Sequence, residues 1–596
     1  MFQNFDATTS PEQGPPRLAA LRDGMAEAGV DGFLVPRADA HQGEYVAPCD
    51  DRLAWLTGFT GSAGFCIALA DQAGLFVDGR YRLQAPAQAA TEFAPVNWPE
   101  VQPAAWLRDA LPAGGVVAFD PWLHSCDEIE KLEQGLAGSG ITLQATHNLV
   151  DAIWDDRPGR PGQPALPYPI ENAGESAADK RNRLAADLRK AGHDAAALTL
   201  PDSICWLLNL RGTDIVRNPV MQSFALLFAD GRVALFADAP NLSDLAAHLG
   251  REVTCHPYDG FIDAVSAFQG RLVLDKASVP VAVMRAAQDP VLGKDPCVLA
   301  KARKNKVEID GARAAHLRDG AAMVEFLTWL EATAPKGGLT EIDVVSQLEG
   351  YRRATNALRD VSFETIAGAG PNGAIMHYRV TRETNRDVKP GELLLVDSGG
   401  QYIDGTTDIT RTVAVGDVGH DERAAYTRVL QGLIAMSRVR WPQGLAGRDL
   451  DAIARYPLWL AGQDYDHGTG HGVGAYLCVH EGPQRLSRIS HVPLETGMIL
   501  SNEPGYYRPG AFGIRLENLI VVSDAETPEG GDGHRQMLAF ETLTFVPFDR
   551  RLILVDKLSS DERAWLDSYH ATVHEKLHPR VSPDAQHWLA TQTAPM

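Results

Sequence analysis

The sequence predicts a multidomain protein of mixed α/β and α+β class, with two related α/β domains ahead of an α+β domain. Three observations support this. The chain has 596 residues, too many for one hydrophobic core. A unit of helix, glycine and apolar strand occurs twice before residue 200. After about residue 300, long helical patterns alternate with strands and glycine-rich turns, which is typical of α+β structure.

Two breaks divide the chain. The stretch DDRPGRPGQPALPYP, residues 155–169, contains five prolines and can continue neither a helix nor a central strand. A weaker break is predicted at QDPVLGKDP, residues 288–296. The expected domains are 1–160, 161–297 and 298–535, with a C-terminal extension at 536–596.

The repeated unit marks the start of each of the first two domains. Its copies are RLAALRDGMAEAGVDGFLVP and RNRLAADLRKAGHDAAALTL, in which an amphipathic helix ends at Gly29 or Gly192 before an apolar strand. WLTGFTG at Trp55 and WLLNLRG at Trp206 then fall in comparable places. The repetition predicts two related domains, although helix–glycine–strand units occur in any α/β chain.

The third domain and the extension are predicted to be rich in helices. The expected helices are 297–333, 339–356, 421–441, 559–577 and 584–593, and the expected strand before the last two is 538–548. Four basic residues in the first helix are predicted to form a solvated face. They are Lys301, Arg303, Lys304 and Lys306.

Composition limits the partners and the compartment. With 55 basic and 77 acidic residues, the net charge of −22 argues against affinity for nucleic acid or an anionic membrane. No apolar run reaches the roughly 20 residues of a spanning helix, and residues 1–16 lack the features of a signal peptide. A cytoplasmic location is therefore expected. The seven cysteines form no CxxC pair and are expected to be reduced and mostly buried.

Five side chains in the last third of the chain have the chemistry of ligands for divalent cations. They lie in the motifs LLLVDSGGQYIDGTTDIT, HGTGHGVG, SNEPGYY and GIRLEN. Four carboxylates and one imidazole make an oxygen-rich set that suits two cations and indicates hydrolysis. The five are Asp397, Asp408, His471, Glu503 and Glu517.

The first motif predicts a hairpin. A strand ends near Asp397, a turn at SGGQYIDG follows, and the chain returns into TTDITRTVAV, so Asp397 and Asp408 are expected side by side. Two such carboxylates repel each other unless a cation lies between them. Taken alone, each aspartate is more typical of a turn.

The other carboxylates have distinct surroundings. Glu503 precedes Pro504 and is not expected inside a helix. Glu517 is predicted to lie in a buried strand, IRLENLIVV, where a carboxylate needs a partner. Arg515 is predicted to point to the same face and to pair with an outer carboxylate.

The segment HGTGHGVGAYLCVHEGP interleaves His467, His471 and His480 with four glycines, a pattern that favours function over a core strand. It is not the HExxH motif, because Gln484 stands where the second histidine would be. GAGPNG at residues 368–373 does not open a long helix, which excludes dinucleotide binding.

Together these motifs resemble the pita-bread metallopeptidases, and the whole chain is similar to the long, three-domain Xaa-Pro aminopeptidases, the aminopeptidase P family. The resemblance covers nearly the full length and includes FTGSAG, DGRYRLQA, NLRGTDIVRNP and AWLDSYH. It implies two creatinase-like N-terminal α/β domains, then a pita-bread catalytic domain with the short C-terminal extension packed on it.

The resemblance also implies roles for the candidate residues. Asp408 and Glu517 would bridge two metals, Asp397 would complete one site, and His471 with Glu503 the other. Glu503 would also be the general base. The residues expected around the substrate are His377, in IMHYRV, with His467, His480, Arg52 and Arg515, and the three histidines would stabilise the tetrahedral intermediate. Arg52 and Arg80 are also candidates for the contacts by which the N-terminal domains restrict the cleft and join subunits, with a structural salt bridge as the alternative for each.

The implied reaction removes the N-terminal residue from a peptide whose second residue is proline. Mn²⁺ is the expected metal, with Zn²⁺ or Co²⁺ as alternatives, and the implied assembly is a homodimer. A prolidase, which cleaves only Xaa-Pro dipeptides, would use the same ligands. A creatinase-type hydrolase or a non-catalytic pita-bread peptide-binding protein would lack them, so the intact set argues against both.

Overall fold

A computed structural model describes residues 1–242 and 245–596. The chain forms two compact units: residues 8–301, called the N-terminal unit, and residues 1–7 with 302–596, called the C-terminal unit.

The N-terminal unit begins with a six-stranded sheet. Its strands are β1 Gly32–Pro36, β2 Phe65–Leu69, β3 Ala73–Val77, β4 Phe93–Asn97, β5 Gly115–Phe119 and β6 Ile141–Ala145. The helices are α1 Gly14–Ala28, α2 Arg52–Thr57, α3 Ala85–Gln88, α4 Pro103–Ala110 and α5 Cys126–Leu136. The strand order is β4-β3-β2-β1-β5-β6, and β2 runs antiparallel to both of its neighbours.

A second sheet of six strands follows. The strands of this part are β7 Leu166–Pro167, β8 Ala195–Leu198, β9 Leu210–Arg211, β10 Phe224–Phe228, β11 Val233–Phe236, β12 Val253–His256, β13 Leu272–Leu274 and β14 Pro290–Leu292. The helices are α6 Ile170–Ala173, α7 Ala177–Lys190, α8 Pro201–Leu208, α9 Ala246–Leu249, α10 Phe261–Ala267, α11 Val281–Ala286 and α12 Pro296–Ala302. The sheet order is β12-β11-β10-β8-β13-β14, and β7 pairs with β9.

The two sheets have the same connectivity, which confirms the predicted repeat. In both, the first strand lies between an antiparallel neighbour and a parallel one. The helix before it ends near a glycine with positive φ, Gly29 at +66° or Gly192 at +73°, a conformation that glycine adopts without strain. Trp55 in α2 and Trp206 in α8 occupy equivalent helices after that strand.

The C-terminal unit combines small antiparallel sheets with long helices. Its strands are β15 Asp360–Val361, β16 Ile366–Ala369, β17 Glu392–Ser398, β18 Gly400–Tyr402, β19 Gly405–Thr406, β20 Ile409–Val415, β21 Arg440–Pro442, β22 Gly470–His471, β23 Arg485–Leu486, β24 Ile499–Asn502, β25 Gly505–Arg508, β26 Phe512–Arg515, β27 Asn518–Ala525 and β28 Met537–Thr542. Its helices are α13 Lys306–Thr333, α14 Glu341–Ala354, α15 His420–Arg438, α16 Gly447–Trp459, α17 Ser560–Leu577 and α18 Pro583–Gln592.

The strand orders in this unit are β15-β18-β19, β16-β17-β20 and β21-β28-β27-β24, with β22-β23 and β25-β26 as separate pairs. Helix α13 buries Met323, Phe326, Leu327 and Leu330 on one face, the spacing of an amphipathic helix. They share a core with Leu394 and Val396 of β17. The strand that carries Asp397 is therefore fixed by a helix packed on its sheet.

The predicted helix 297–333 is wrong, because it is two helices, α12 and α13. The Asn305 side chain accepts from the N–H groups of Val307 and Glu308 and caps α13, which ends the preceding helix. The predicted solvated face is correct for Arg303 and Lys306, which are exposed, and wrong for the other two residues. Lys301 and Lys304 are only 2% and 5% exposed and pair with Asp202 and Glu481.

The predicted strand 538–548 is shorter than expected, because β28 ends at Thr542. Helices α17 and α18 lie where the sequence predicts them. Residues 1–7 pack with the C-terminal unit, where Glu349 of α14 accepts from the Phe2 N–H at 2.7 Å and the Gln3 amide at 3.3 Å.

The cysteines are free thiols, and all are buried except Cys478, which is half-buried, and the exposed Cys255. Among the described helices, none has both the length and the apolar composition that crossing a bilayer demands.

Candidate metal centre

The hairpin predicted around the two aspartates is present. Strands β17 and β20 pair antiparallel, with Asp397 opposite Thr410 and Ser398 opposite Ile409. Asp408 immediately precedes β20. Burial raises the pKa of Asp408, and the charge of the nearby Asp397 raises it further.

Three of the five candidate ligands converge closely. One ligand atom from each of Asp408, His471 and Glu517 lies within 4.8 Å of the other two. The Nε2 atom of His471 is 3.5 Å from Asp408 Oδ2 and 3.4 Å from Glu503 Oε1. Glu503 therefore joins the same cluster through the imidazole.

The hydrogen bond at the other imidazole nitrogen orients His471. Its Nδ1 atom lies 3.0 Å from the Gly472 carbonyl oxygen, which can only accept, so we assign the ring proton to Nδ1. The Nε2 lone pair then faces the carboxylates, as a metal ligand requires. Gly470 permits this approach, because a Cβ atom there would lie 1.9 Å from the Ser501 carbonyl oxygen.

Glu503 lies after β24, outside any helix as its proline neighbour predicts. Its N–H donates to the Thr469 carbonyl at 2.8 Å. Its Oε1 accepts a hydrogen bond from the Ser501 hydroxyl at 3.0 Å. The same hydroxyl oxygen of Ser501 accepts from the backbone N–H of His471 at 2.9 Å. One serine thus couples the positions of Glu503 and His471.

The prediction that Glu517 lies within one continuous strand is wrong. Residues 516 and 517 separate β26 from β27, because β26 pairs with β25 while β27 pairs with β24 and β28. Glu517 instead bonds to Thr410: its N–H donates to the Thr410 carbonyl at 3.1 Å. Its Oε2 accepts from the Thr410 hydroxyl at 2.8 Å.

Arg515 has the carboxylate partner that the sequence predicts. Its Nη2 donates to Asp397 Oδ2 at 2.6 Å and to the Met376 carbonyl at 3.2 Å. Its Nη1 donates to the Tyr507 hydroxyl at 2.6 Å. With a side chain that is only 2% exposed, this guanidinium is the buried cation of the cluster.

Three carboxylate oxygens in the cluster fit a metal. Asp397 Oδ1, Asp408 Oδ1 and Glu517 Oε1 are buried and have no hydrogen-bond partner among the described residues. A buried carboxylate oxygen without a partner is costly. Burial, and then the neighbouring carboxylates, raise the pKa values of Asp408 and Glu517 well above their ordinary range. A bound cation would give these oxygens a partner and would offset the repulsion between the buried carboxylates. This oxygen-rich set therefore fits hard divalent cations.

The predicted substrate histidines lie around this cluster. His480 contacts His471, with ring centroids 4.3 Å apart. The Nε2 atom of His467 is 2.9 Å from the Tyr507 hydroxyl, whose pKa burial raises to about 12. His377 directly follows Met376, whose carbonyl Arg515 contacts. Their roles toward a substrate stay predictions.

Arg52 belongs to the N-terminal unit. It donates to both oxygens of Asp151 at 2.6 and 3.0 Å and to Asp50 at 2.9 Å. Arg80 pairs with Asp78 at 2.6 Å. The salt bridges considered as the alternative are therefore present, and a substrate contact of Arg52 stays a prediction.

The sequence did not single out Ser501, Thr410 or Tyr507. Thr410 is two residues beyond Asp408 on an alternating strand, which places it near the same face. Ser501 and Tyr507 are the first and last residues of the motif SNEPGYY. Their closeness to Glu503 in the sequence was therefore the available signal.

The centre and its fold define a metallopeptidase. The chain belongs to metallopeptidase family M24, whose pattern matches residues 310–524. The Creatinase/Prolidase N-terminal domain matches twice, at residues 17–153 and 156–308. The C-terminal region of peptidase M24 matches residues 536–596. The predicted fold class is confirmed.

Relatives resemble the chain over nearly its whole length. Aminopeptidase P2 of Arabidopsis thaliana is 40% identical over 97% of this chain and 88% of that protein. A probable Xaa-Pro aminopeptidase P of Laccaria bicolor is 39% identical over 97% of this chain and 93% of its own.

Solved structures show the same fold. The X-prolyl aminopeptidase of Caenorhabditis elegans, described as a cytosolic enzyme with a di-nuclear active site, is 32% identical. It matches with a TM-score of 0.93 over 98% of this chain and 99% of that one. An Xaa-Pro dipeptidase from Bacillus anthracis is 25% identical, with a TM-score of 0.51 over 63% of this chain and 99% of its own.

Proposed function

We propose that this protein is a metal-dependent Xaa-Pro aminopeptidase, which releases the N-terminal residue of peptides with proline in second place. The observation that carries the proposal is a set of three buried carboxylate oxygens, on Asp397, Asp408 and Glu517, that have no hydrogen-bond partner among the described residues. Two of these residues, Asp408 and Glu517, cluster with His471. The set occurs in a chain that is 40% identical to an aminopeptidase P over 97% of its length.

We propose that two divalent cations are held by Asp397, Asp408, His471, Glu503 and Glu517. The di-nuclear active site described for the nematode relative supports this number. Four carboxylates favour Mn²⁺, while Zn²⁺ and Co²⁺ accept the same ligands. When bound, such cations polarise the scissile carbonyl and acidify the attacking water.

Glu503 is the proposed general base. Its carboxylate accepts a proton from the water as the water oxygen bonds to the scissile carbon, and returns it to the proline nitrogen as the C–N bond breaks. Burial raises the pKa of Glu503, while His471 and Arg515 oppose this rise, which suits a group that takes up and releases a proton. His377, His467 and His480 are proposed to hold the substrate and the developing oxyanion.

A peptide substrate is favoured over a dipeptide. The aminopeptidase of C. elegans matches 98% of this chain, whereas the dipeptidase of B. anthracis matches 63%. The peptide-cleaving relative therefore accounts for nearly the whole chain, whereas the dipeptidase accounts for about two thirds of it. A non-catalytic binding protein is disfavoured because all five ligand positions are intact.

The remaining expectations are part of the same proposal. A cytoplasmic location is supported by the cytosolic nematode relative. We also propose a homodimer, no partnership with nucleic acid or membrane, and a division into 1–160, 161–297, 298–535 and 536–596.

The test is hydrolysis of Arg-Pro-Pro, Arg-Ala-Ala and Arg-Pro by chelator-stripped protein before and after addition of Mn²⁺. Metal-restored cleavage of Arg-Pro-Pro, without cleavage of Arg-Ala-Ala, is expected. Cleavage confined to Arg-Pro would make the protein a prolidase. Failure to cleave any of the three despite bound metal would overturn the proposal, with Glu503→Gln as the inactive control.

A further inference from the structure

Glu341, the first residue of α14, is a buried carboxylate outside the proposed ligand set. Its side chain is 0% exposed. It accepts hydrogen bonds from four residues of a single segment, residues 369–386. The donors are the Ala369 N–H at 2.8 Å, the Asn372 amide at 3.0 and 3.1 Å, the Tyr378 hydroxyl at 2.8 Å and the Arg386 N–H at 3.3 Å.

This arrangement closes the segment that carries His377. Ala369 and Arg386 are the two ends of the segment, and hydrogen bonds from their backbone N–H groups to the Glu341 carboxylate hold these ends together. Asn372 and Tyr378 lie on either side of His377 in the chain, so the same carboxylate also holds the segment before and after the histidine. The Glu341 carboxylate therefore contributes directly to the position of the His377 backbone.

The opposite side of the segment contacts the metal centre. Arg515, which binds Asp397, donates to the carbonyl of Met376, the residue before His377. Strand β26 approaches the segment so closely that a Cβ atom on Gly513 would lie 1.7 Å from the Gly373 carbonyl oxygen. His377 is thus held between Glu341 and the strand that leads to Glu517.

The site requires an acceptor without hydrogens. All four donors point N–H or O–H groups at the carboxylate, and an amide in its place would turn a hydrogen toward at least one of them. The N-terminus of α14 also favours a negative charge at this position. Burial raises the pKa of Glu341, and the hydrogen bonds from the segment oppose that rise.

We propose that Glu341 is a positioning residue for the reaction: through segment 369–386 it fixes His377 against the substrate without touching the substrate itself. This inference rests on the proposed function, from which it takes the role of His377.

Glu349 provides a matched control on the same helix. It is also buried, at 1% exposure, and accepts several hydrogen bonds, but from Phe2 and Gln3 rather than from the His377 segment. Glu341→Gln and Glu349→Gln therefore make the same chemical change at two buried carboxylates of one helix, although Glu349 also lies 3.8 Å from the Met1 amino group and from Arg353.

The experiment measures kcat and KM for Arg-Pro-Pro with each variant, alone and combined with His377→Ala. Displacement of a catalytic group by about 1 Å costs up to about 100-fold in rate. Glu341→Gln should therefore lower kcat about 10- to 100-fold through the weakened oxyanion contact and raise KM through the weakened substrate contact. In the His377→Ala background, Glu341→Gln should lower kcat by less than about twofold, because the side chain that Glu341 positions is absent. Glu349→Gln should cost less than about twofold in both backgrounds.

Hydrogen exchange supplies a readout independent of activity. Peptides from residues 369–386 should exchange faster in Glu341→Gln and at the wild-type rate in Glu349→Gln. If Glu341→Gln does not fold, Tyr378→Phe removes one donor and should give a smaller loss of kcat that again disappears without His377.

Two outcomes would overturn the inference while the proposed function stands: full kcat in Glu341→Gln, or the same fold loss with and without His377. A wild-type protein that fails to cleave Arg-Pro-Pro would instead refute the proposed function itself.

Discussion

The guanidinium of Arg515 lies 2.6 Å from Asp397 Oδ2, while Asp397 Oδ1 is buried with no hydrogen-bond partner among the described residues. One oxygen of this carboxylate is thus paired with the guanidinium, and the other remains available to bind a cation. Asp397 is arranged to offer a single, directed ligand atom.

Replacement of Arg515 by lysine tests this arrangement. Lysine keeps the positive charge but cannot contact Asp397, Tyr507 and Met376 together, so we expect kcat to fall about 100-fold and bound metal to decrease. Metal analysis with steady-state kinetics would measure both. Arg508→Lys, at an exposed pair with Asp421, is the control. A fully active Arg515→Lys enzyme would show that the simultaneous contacts of the guanidinium with Asp397, Tyr507 and Met376 are unnecessary.

The variant Glu517→Gln should separate metal binding from stability. We expect loss of metal and a fall in activity of at least about 1,000-fold, since the variant removes one of the proposed metal ligands. Because burial and neighbouring carboxylates raise the pKa of Glu517, its charge destabilises the metal-free fold. Chelator-stripped Glu517→Gln should therefore melt no lower than stripped wild type. A clearly lower melting temperature would contradict this account.

A methyl group at Gly470 should displace the strand of His471. Its Cβ atom would lie 1.9 Å from the Ser501 carbonyl oxygen, so Gly470→Ala is expected to lower both metal content and stability, by about 2 kcal/mol or more. Gly350→Ala is the matched control, because its Cβ meets nothing within 4 Å in helix α14. There we expect unchanged activity and a gain of about 0.5 kcal/mol in unfolding experiments.

His570 should make the fold sensitive to acid. Its Nε2 accepts from the Phe548 N–H at 3.2 Å, and burial lowers its pKa to about 3. At pH values between the ordinary histidine pKa of about 6.5 and this lower pKa, His570 is protonated in the unfolded chain and neutral in the folded protein. Stability therefore falls as the pH falls, by about 1.4 kcal/mol per unit.

Denaturant unfolding between pH 7 and pH 4.5 would measure this effect in wild type and in His570→Gln, which retains an acceptor but does not titrate. The variant should lose less stability across the range. Parallel pH profiles for the two proteins would rule out His570 as a source of the sensitivity.

The sequence predicted the parts of the centre that depend on local patterning. The apolar run before Asp397 and the turn after it determine the hairpin, and Pro504 keeps Glu503 out of a helix. The glycine that ends each repeated helix likewise predicted the duplicated sheet. In each case the signal lies within a few residues of the feature.

The features that were missed depend on partners distant in the chain. IRLENLIVV reads as one strand because its apolar pattern is continuous, yet β26 and β27 pair with different strands. Lys301 and Lys304 read as solvated because Asp202 and Glu481 lie far away in sequence. The sequence predicted that Arg515 pairs with a carboxylate, but it did not identify the partner as Asp397, which lies 118 positions away.

The placement of residues 1–7 in the same compact unit as residues 302–596 has a consequence for biosynthesis. These residues leave the ribosome long before Glu349, which anchors Phe2 and Gln3. At about 5 to 20 residues per second, the wait is on the order of tens of seconds. Residues 8–301 can fold during that interval, whereas the C-terminal unit is completed only after Glu349 has been synthesised and can bond to Phe2 and Gln3.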